Sequence, residues 1–286
     1  MKLALGTANF GNKYSILKKK VSFKEIKKIE KIVKKSNISL LDTADSYKNN
    51  TKILSKTKLK NLNIVTKIKF NKELYKNNKI ILQKKIHLFL KKLKVNKIHA
   101  VLIHDYKDII GKNGKLNIEL LLNLKKKKIV NKVGISIYDP KELKKIWKIW
   151  RPDLVQAPLN VFDHRIHKSG WLNKLKRNKV EVHVRSCFLQ GILLNYEPKN
   201  KFYNKFKKWE KLFYNWSSWC ETHKISKLEA CLNFIKNFKN IDYLIIGIEK
   251  PKQLSDIIRI FRSKKKNIPY IFECKDKKLI EPKNWK

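Results

Sequence analysis

The chain has 286 residues, of which 42% are hydrophobic. That is enough for one large domain or two ordinary ones with a sizeable core, and it argues against wholesale disorder. No apolar run reaches the ~18 residues needed to cross a bilayer, and the opening MKLALGTANFG lacks the apolar core of a signal peptide.

The net charge is +46, from 69 basic and 23 acidic residues. Lysines outnumber arginines 63 to 6 and run from end to end rather than forming one patch. A nucleic-acid reader groups its basic residues and uses arginine for bidentate contacts. Lysine here reads as the default surface residue, so no specific nucleic-acid partner is expected, although non-specific attraction to polyanions follows from the charge. Cys187, Cys220, Cys231 and Cys274 form no CxxC pair, and no Cys/His cluster has zinc spacing, so no metal is expected. Isolated thiols without a secretory segment point to a reducing, cytoplasmic setting.

In chain order, KLALGTA (2–8) reads as a strand. Residues 22–37 read as a helix, with Ser22 as N-cap, Glu25 completing a capping box, and Ile26, Ile29, Ile32 and Val33 on one face. ISLLDTA (38–44) is the second strand, and 52–58 suits a short helix. NIVTKI (63–68) is the third strand, followed by a helix over 78–94. IHAVLIH (98–104) is the fourth, followed by a helix over 117–128. KVGISI (132–137) precedes a helix over 140–150, and LVQAPL (154–159) precedes one over 166–176. VEVHVRS (180–186) is the seventh strand, before a long helical region over 205–238. YLIIGI (243–248) is the eighth, with a helix over 251–262.

Eight Val/Ile/Leu-rich strands, each followed by a helix, imply a parallel sheet. Eight such units in under 300 residues suggest an α/β fold of (β/α)8 TIM-barrel type. No Pro/Gly/Ser linker divides 1–286, so one domain is expected. The competing architecture is a doubly wound open sheet. It is disfavoured because no GxGxxG follows an early strand, and the two glycines of GTANFG (6–11) have the wrong spacing.

A barrel of this type carries its chemistry at the C-terminal ends of its strands. Strand two ends at Asp42, with Tyr47 in the loop beyond it. Strand three ends near Lys67, and strand four at His104. A free tyrosine, with a pKa of about 10, is a poor acid near neutrality. A neighbouring ammonium favours its phenolate, a carboxylate holds that ammonium, and a histidine can orient a carbonyl oxygen. Together they suit proton donation to a carbonyl. Each residue also has a plain reading. Asp42 can be a strand-end cap, Tyr47 a rim aromatic, His104 a buried histidine with its hydrogen bonds met, and Lys67 one lysine among many.

The motifs GTANFG (6–11), LDTADSY (41–47), VTKI (65–68), VLIHD (101–105), VGISIYDP (133–140), VQAPLNVFDHR (155–165), VRSCFLQG (184–191) and IIGIEKPKQL (245–254) stand in the order and spacing of one family. The sequence resembles the aldo-keto reductases along nearly its whole length, and the tail LIEPKNW (279–285) resembles the ending of bacterial members with a short chain start. The resemblance implies an NAD(P)H-dependent oxidoreductase on a (β/α)8 barrel that reduces an aldehyde or ketone to an alcohol without a metal. It implies Tyr47 as general acid, Lys67 and Asp42 as its tuners, and His104 as the carbonyl-orienting group.

It also places Gly6, Thr7, Ser136, Gln156, Arg185, Ser186, Gly247, Lys250 and Gln253 against the cofactor, with Asn160 near the nicotinamide. Ser136 and Gln156 can hydrogen-bond a carboxamide. Arg185 stands where many members stack a tyrosine, and it can stack, meet a phosphate or form a rim salt bridge. Lys250 and Gln253 match positions that hold the 2′-phosphate of NADPH. Glu249 would repel that phosphate and suit the 2′-hydroxyl of NADH. From Lys250 and Gln253 NADPH is the expected cofactor, with NADH as the alternative that Glu249 keeps open.

The sequence departs from the family at Lys48, where glycine is common, and at Ile137 and Ile257, where asparagine is common. Asp256 keeps the usual acid, and only eight glycines remain in the chain. A small-molecule carbonyl, sugar-derived by analogy with similar bacterial members, is the expected partner. Loop 106–115 and the region 195–220, with Tyr196, Phe202, Tyr203, Trp209, Tyr214 and Trp216, are candidate pocket walls, and those aromatics are equally candidates for helix core. Two rival functions are a non-catalytic cofactor-binding barrel acting as a sensor or partner subunit, and a polyanion-binding protein.

Overall fold

A computed structural model describes residues 1–12, 20–47, 49–70 and 78–285. Eight strands, β1 Lys2–Gly6, β2 Leu40–Asp42, β3 Asn63–Ile68, β4 Ile98–Ile103, β5 Val130–Ser136, β6 Leu154–Pro158, β7 Glu181–Arg185 and β8 Tyr243–Gly247, pair in sequence order. All pairs are parallel, and β1 pairs with β8 to close the barrel. The expected (β/α)8 architecture is the observed one.

The helices are α1 Phe23–Lys34, α2 Asn50–Leu54, α3 Asn78–Leu93, α4 Lys107–Ile110, α5 Gly114–Lys126, α6 Pro140–Ile149, α7 Arg165–Lys168, α8 Trp171–Arg177, α9 Ile192–Asn195, α10 Glu210–Thr222, α11 Lys227–Lys236, α12 Pro251–Arg262 and α13 Lys277–Ile280. The α1 start is the capping box read from sequence. Ser22 Oγ accepts from the Glu25 N–H at 3.3 Å, and Glu25 Oε2 accepts from the Ser22 N–H at 3.0 Å. Its Ile26, Ile29 and Val33 are buried.

Three helical readings change, the first being the short helix expected over 52–58, which is α2, ending at Leu54, and a separate 3-10 segment, Lys58–Asn61. The helix expected over 166–176 is α7 and α8, parted at Gly170, whose φ of +76° interrupts a right-handed helix. The region expected to be helical over 205–238 is a 3-10 segment, Lys201–Trp209, followed by α10 and α11. Its two α-helices are parted near Lys224, which also has positive φ. Lys48 lies outside the described residues. Among the described residues no helix is long and apolar enough to cross a membrane.

Two cores follow from the period-2 alternation of a strand. Most apolar residues form the layer between sheet and helices. A second cluster, Ala4, Leu40, Val65, Ala100, Leu102, Leu154 and Ile245, joins residues from six strands, as only the barrel interior can. Two residues further along each strand lies the next inward position. From these seven that rule gives Gly6, Asp42, Lys67, Leu102, His104, Gln156 and Gly247. The polar residues of the rim are the continuation of the apolar interior.

Candidate active site

The loop after β2 is folded back onto β1. Asn50, buried at the start of α2, donates through Nδ2 to Thr7 O at 2.9 Å and Thr7 Oγ1 at 3.0 Å. Thr7 in turn donates through Oγ1 to Asp42 O at 3.0 Å. The Tyr47 N–H bonds Ala44 O at 3.1 Å and Tyr47 O accepts from the Asn50 N–H at 3.2 Å. These bonds set the tyrosine at the rim beside β3.

There Lys67 is 2% exposed and Asp42 4%. The Lys67 ammonium donates to Asp42 Oδ2 at 2.6 Å and to Thr43 O at 2.9 Å, and stands 5.8 Å from the centre of the Tyr47 ring. The other oxygen, Asp42 Oδ1, accepts from Gln156 Nε2 at 2.8 Å. Burial pushes the Lys67 pKa below the ordinary lysine value, against the opposing pull of the Asp42 carboxylate. His104 also faces the cleft. Burial, then the positive charges of Lys67 and Arg185, push its pKa down to about 4, so its ring is neutral near pH 7.

These four residues line one cleft of about 340 Å³. Gly6, Thr7, Ser136, Gln156, Arg185, Ser186, Gly247 and Gln253 line the same cleft. Ser136 lies beside Gln156 in register, with Ser136 Oγ 3.5 Å from Gln156 Oε1. A Cβ at Gly247 would meet no protein atom within 4 Å, so the backbone there faces open cleft. Gln253 caps α12, its Oε1 accepting from the N–H groups of Glu249 at 2.8 Å and Lys250 at 3.0 Å. Lys250 is exposed and outside the lining, whereas Glu249 is in it.

Asn160 is buried away from the cleft. Its Oδ1 accepts from the N–H groups of Phe162 at 2.9 Å and Asp163 at 3.0 Å, and its Nδ2 donates to Ser186 O at 3.1 Å. It builds the turn after β6, the turn chemistry open to any strand-end asparagine.

Of the region 195–220, Asn195 lines the cleft, and the candidate aromatics are elsewhere. Tyr196, Tyr203 and Trp216 are core, Trp209 packs against that core, and Tyr214 is exposed. The Phe202 side chain lies outside the described residues. Loop 106–115 folds into α4 and the start of α5, and none of its residues lines the cleft.

The wall is instead Phe188, Leu194, Leu228 and Ile257, with Asn9 and Tyr138. Tyr138 lies two residues beyond Ser136, so strand alternation carries a signal for it. Leu228 and Ile257 come from α11 and α12, and no local pattern marks a helix residue as facing a distant cleft. Among the described residues no group of three or more His, Cys, Asp or Glu side chains could hold a metal ion.

The fold and this rim define a (β/α)8-barrel protein with its polar site at the C-terminal mouth. A sequence model of the aldo/keto reductase family matches residues 2–276. The structure is similar to an aldo-keto reductase from Bacillus halodurans in its holo form, with a TM-score of 0.69 and 18% identity over 93% of this chain and 88% of that one. It is also similar to a glycerol dehydrogenase from Gluconobacter oxydans, with a TM-score of 0.67 and 18% identity over 92% and 86% of the two chains. No curated protein matches the sequence.

The chain belongs to the aldo/keto reductase family. It is an oxidoreductase of the class that uses a nicotinamide cofactor to reduce small-molecule carbonyls.

Proposed function

We propose that the protein reduces an aldehyde or ketone with Tyr47 as general acid. The observation that carries this reading is the buried Lys67–Asp42 pair, 2.6 Å apart and next to the Tyr47 ring. The cleft also suits the cofactor the family implies. Asn9 Oδ1 is buried in its lining with no hydrogen-bond partner among the described residues. Ser136 Oγ offers a donor, and the open backbone at Gly247 admits close approach.

When bound, the nicotinamide supplies hydride to the carbonyl carbon. As negative charge develops on the carbonyl oxygen, Tyr47 Oη delivers its proton there. The phenolate left behind is stabilised by the Lys67 charge, which Asp42 and Thr43 O hold in place. Neutral His104 directs a ring N–H at the same oxygen and orients the carbonyl.

At the α12 end, Glu249 belongs to the lining of the cleft, while Lys250 is exposed and outside it. A carboxylate accepts from a 2′-hydroxyl and repels a 2′-phosphate. This favours NADH, the alternative in the sequence reading, over the NADPH expected there.

The test is tryptophan-quenching titration with NADH and NADPH, together with oxidation of the bound cofactor by 4-nitrobenzaldehyde. Wild type is expected to bind and turn over. Tyr47→Phe is expected to bind with similar affinity while kcat falls at least ~100-fold, the scale of a lost general acid. A Tyr47→Phe enzyme with wild-type kcat refutes the assignment.

A further inference from the structure

The segment that leaves α12, SKKKNIPYIF (263–272), sets three lysines beside an apolar run. Ile268 and Phe272 are buried, at 1% and 4% exposure, whereas Tyr270 and Ile271 between them are 42% and 69% exposed. The other exposed large apolar side chains among the described residues stand singly in sequence, which is ordinary surface. Here two stand together.

The tip is held, not loose. The Lys266 N–H donates to Asn233 Oδ1 at 2.9 Å, Asn237 Nδ2 donates to Ile268 O at 3.2 Å, and the Cys274 N–H donates to Phe162 O at 2.8 Å. The Tyr270 ring stacks on His167 at 5.8 Å and meets Phe234 at 5.5 Å. The chain thus fixes an apolar tip and leaves it in contact with solvent.

Lysine covers the whole surface, so charge alone marks no face. Around this tip, however, several cations lack counter-charges. Lys266 pairs with Glu229 at 2.8 Å, and Lys168 pairs with Glu273. Among the described residues, Lys236, Arg262, Lys264 and Lys265 lie within ion-pair reach of no carboxylate. Lys236 donates to Ser263 O at 2.7 Å, which brings it beside the lysine run. Burial, then the charge of Lys265, push the Lys236 pKa down against the pull of Glu229. An anionic group over these two ammoniums relieves their repulsion.

Size and chemistry select the occupant. A stable protein partner buries about 1,600 Å² around an apolar centre, far more than two side chains provide. A second copy carries the same +46 charge and is repelled. A nucleic acid offers phosphates to the lysines but nothing to an exposed isoleucine. An anionic bilayer uses both features, admitting a short apolar tip among its headgroups and holding cations against its phosphates.

We propose that this loop docks the protein on an anionic lipid surface, with Tyr270 and Ile271 entering the headgroup layer and Lys236, Arg262, Lys264 and Lys265 meeting lipid phosphates. The attachment is peripheral, and no residue of the loop lines the cleft, so docking and catalysis use separate surfaces.

The test is co-sedimentation with vesicles of phosphatidylcholine alone and of phosphatidylcholine mixed with phosphatidylglycerol, at about 0.15 M salt. Fluorescence anisotropy with a DNA duplex at the same salt runs in parallel. Wild type is expected to sediment with the mixed vesicles and to stay in solution with phosphatidylcholine alone. Ile271→Ser, at an exposed position, should weaken lipid binding about tenfold, the scale of burying one aliphatic side chain. The pair Lys264→Gln and Lys265→Gln should weaken it about 25-fold, at roughly fivefold per cation near a charged bilayer. The pair Lys91→Gln and Lys92→Gln removes the same charge from exposed positions on α3, half-way round the barrel. It should weaken binding less than ~2-fold, because those charges lie more than a Debye length from the docked face. Circular dichroism checks that each variant folds.

Absence of wild-type sedimentation with the mixed vesicles overturns the proposal. An equal loss in the α3 pair assigns the binding to bulk charge and also overturns it, as does an Ile271→Ser protein that binds like wild type. DNA binding that requires Lys264 and Lys265, without vesicle binding, makes the face a nucleic-acid surface and refutes the lipid assignment.

Discussion

Replacing Lys67 by methionine tests the centre of the site through stability alone. Lys67 is 2% exposed and Asp42 4%, and the ammonium lies 2.6 Å from the carboxylate. Its removal leaves Asp42 buried with only the Gln156 amide on its charged group. Deleting one partner of a buried pair costs ~3–5 kcal/mol, because the remaining charge has lost its hydration and its counter-ion. Asp42→Asn strands the ammonium on Thr43 O and should cost a similar amount.

The double variant has no uncompensated charge. Its loss should fall short of the summed single losses by at least ~2 kcal/mol, a coupling of the size that contacting residues show. Urea unfolding followed by tryptophan fluorescence reads all four proteins. The Lys67→Met deficit should also shrink as the solution is acidified, because a protonated Asp42 is cheaper to bury than a charged one. Single losses below ~1 kcal/mol that simply add would refute the reading of a dry, coupled pair.

Two further outcomes follow from the same geometry. The His104 pKa is held down at about 4 from 6.5, so the unfolded chain binds the proton more readily. The histidine's contribution is thus fully present above pH 6.5 and is lost as pH falls toward 4. His104→Gln should flatten the stability–pH curve in that window by up to ~3 kcal/mol relative to wild type, at ~1.4 kcal/mol per pKa unit, and equal slopes would contradict the burial argument. In β5, a Cβ at Gly134 would lie 2.1 Å from Leu154 O and 2.8 Å from Leu102 Cδ2. Gly134→Ala should therefore lower the thermal midpoint by more than ~5 °C or abolish folding, at roughly 2–4 °C per kcal/mol for a chain of this size, and a scanning calorimetry midpoint within 2 °C of wild type would refute the clash.

Much of this was legible in the one-dimensional pattern. Eight apolar runs separated by amphipathic helices specify a parallel α/β barrel, because a strand covered on both faces must be apolar throughout. The Ser22 cap and its partner Glu25 are local chemistry, three residues apart, and the sequence contains both. Asp42, Lys67 and His104 were readable because each continues a strand's inward parity past its apolar end, at the rim where such barrels hold polar groups.

Other features were decided only by the closed fold. That Lys67, one lysine among 63, loses its water and meets Asp42 depends on β2 and β3 lying side by side in register. The Gln156 bond to Asp42 spans 114 residues. Asn160 turned to its own turn and Arg185 to the cleft, although both stand at strand ends with polar side chains. Their difference lies in the neighbours that the barrel brings to them. Sequence fixes what each side chain is able to do, and its periodicity fixes the face on which it lies. Hydration, counter-charge and free space belong to the assembled barrel, because each is a property of groups far apart in the chain.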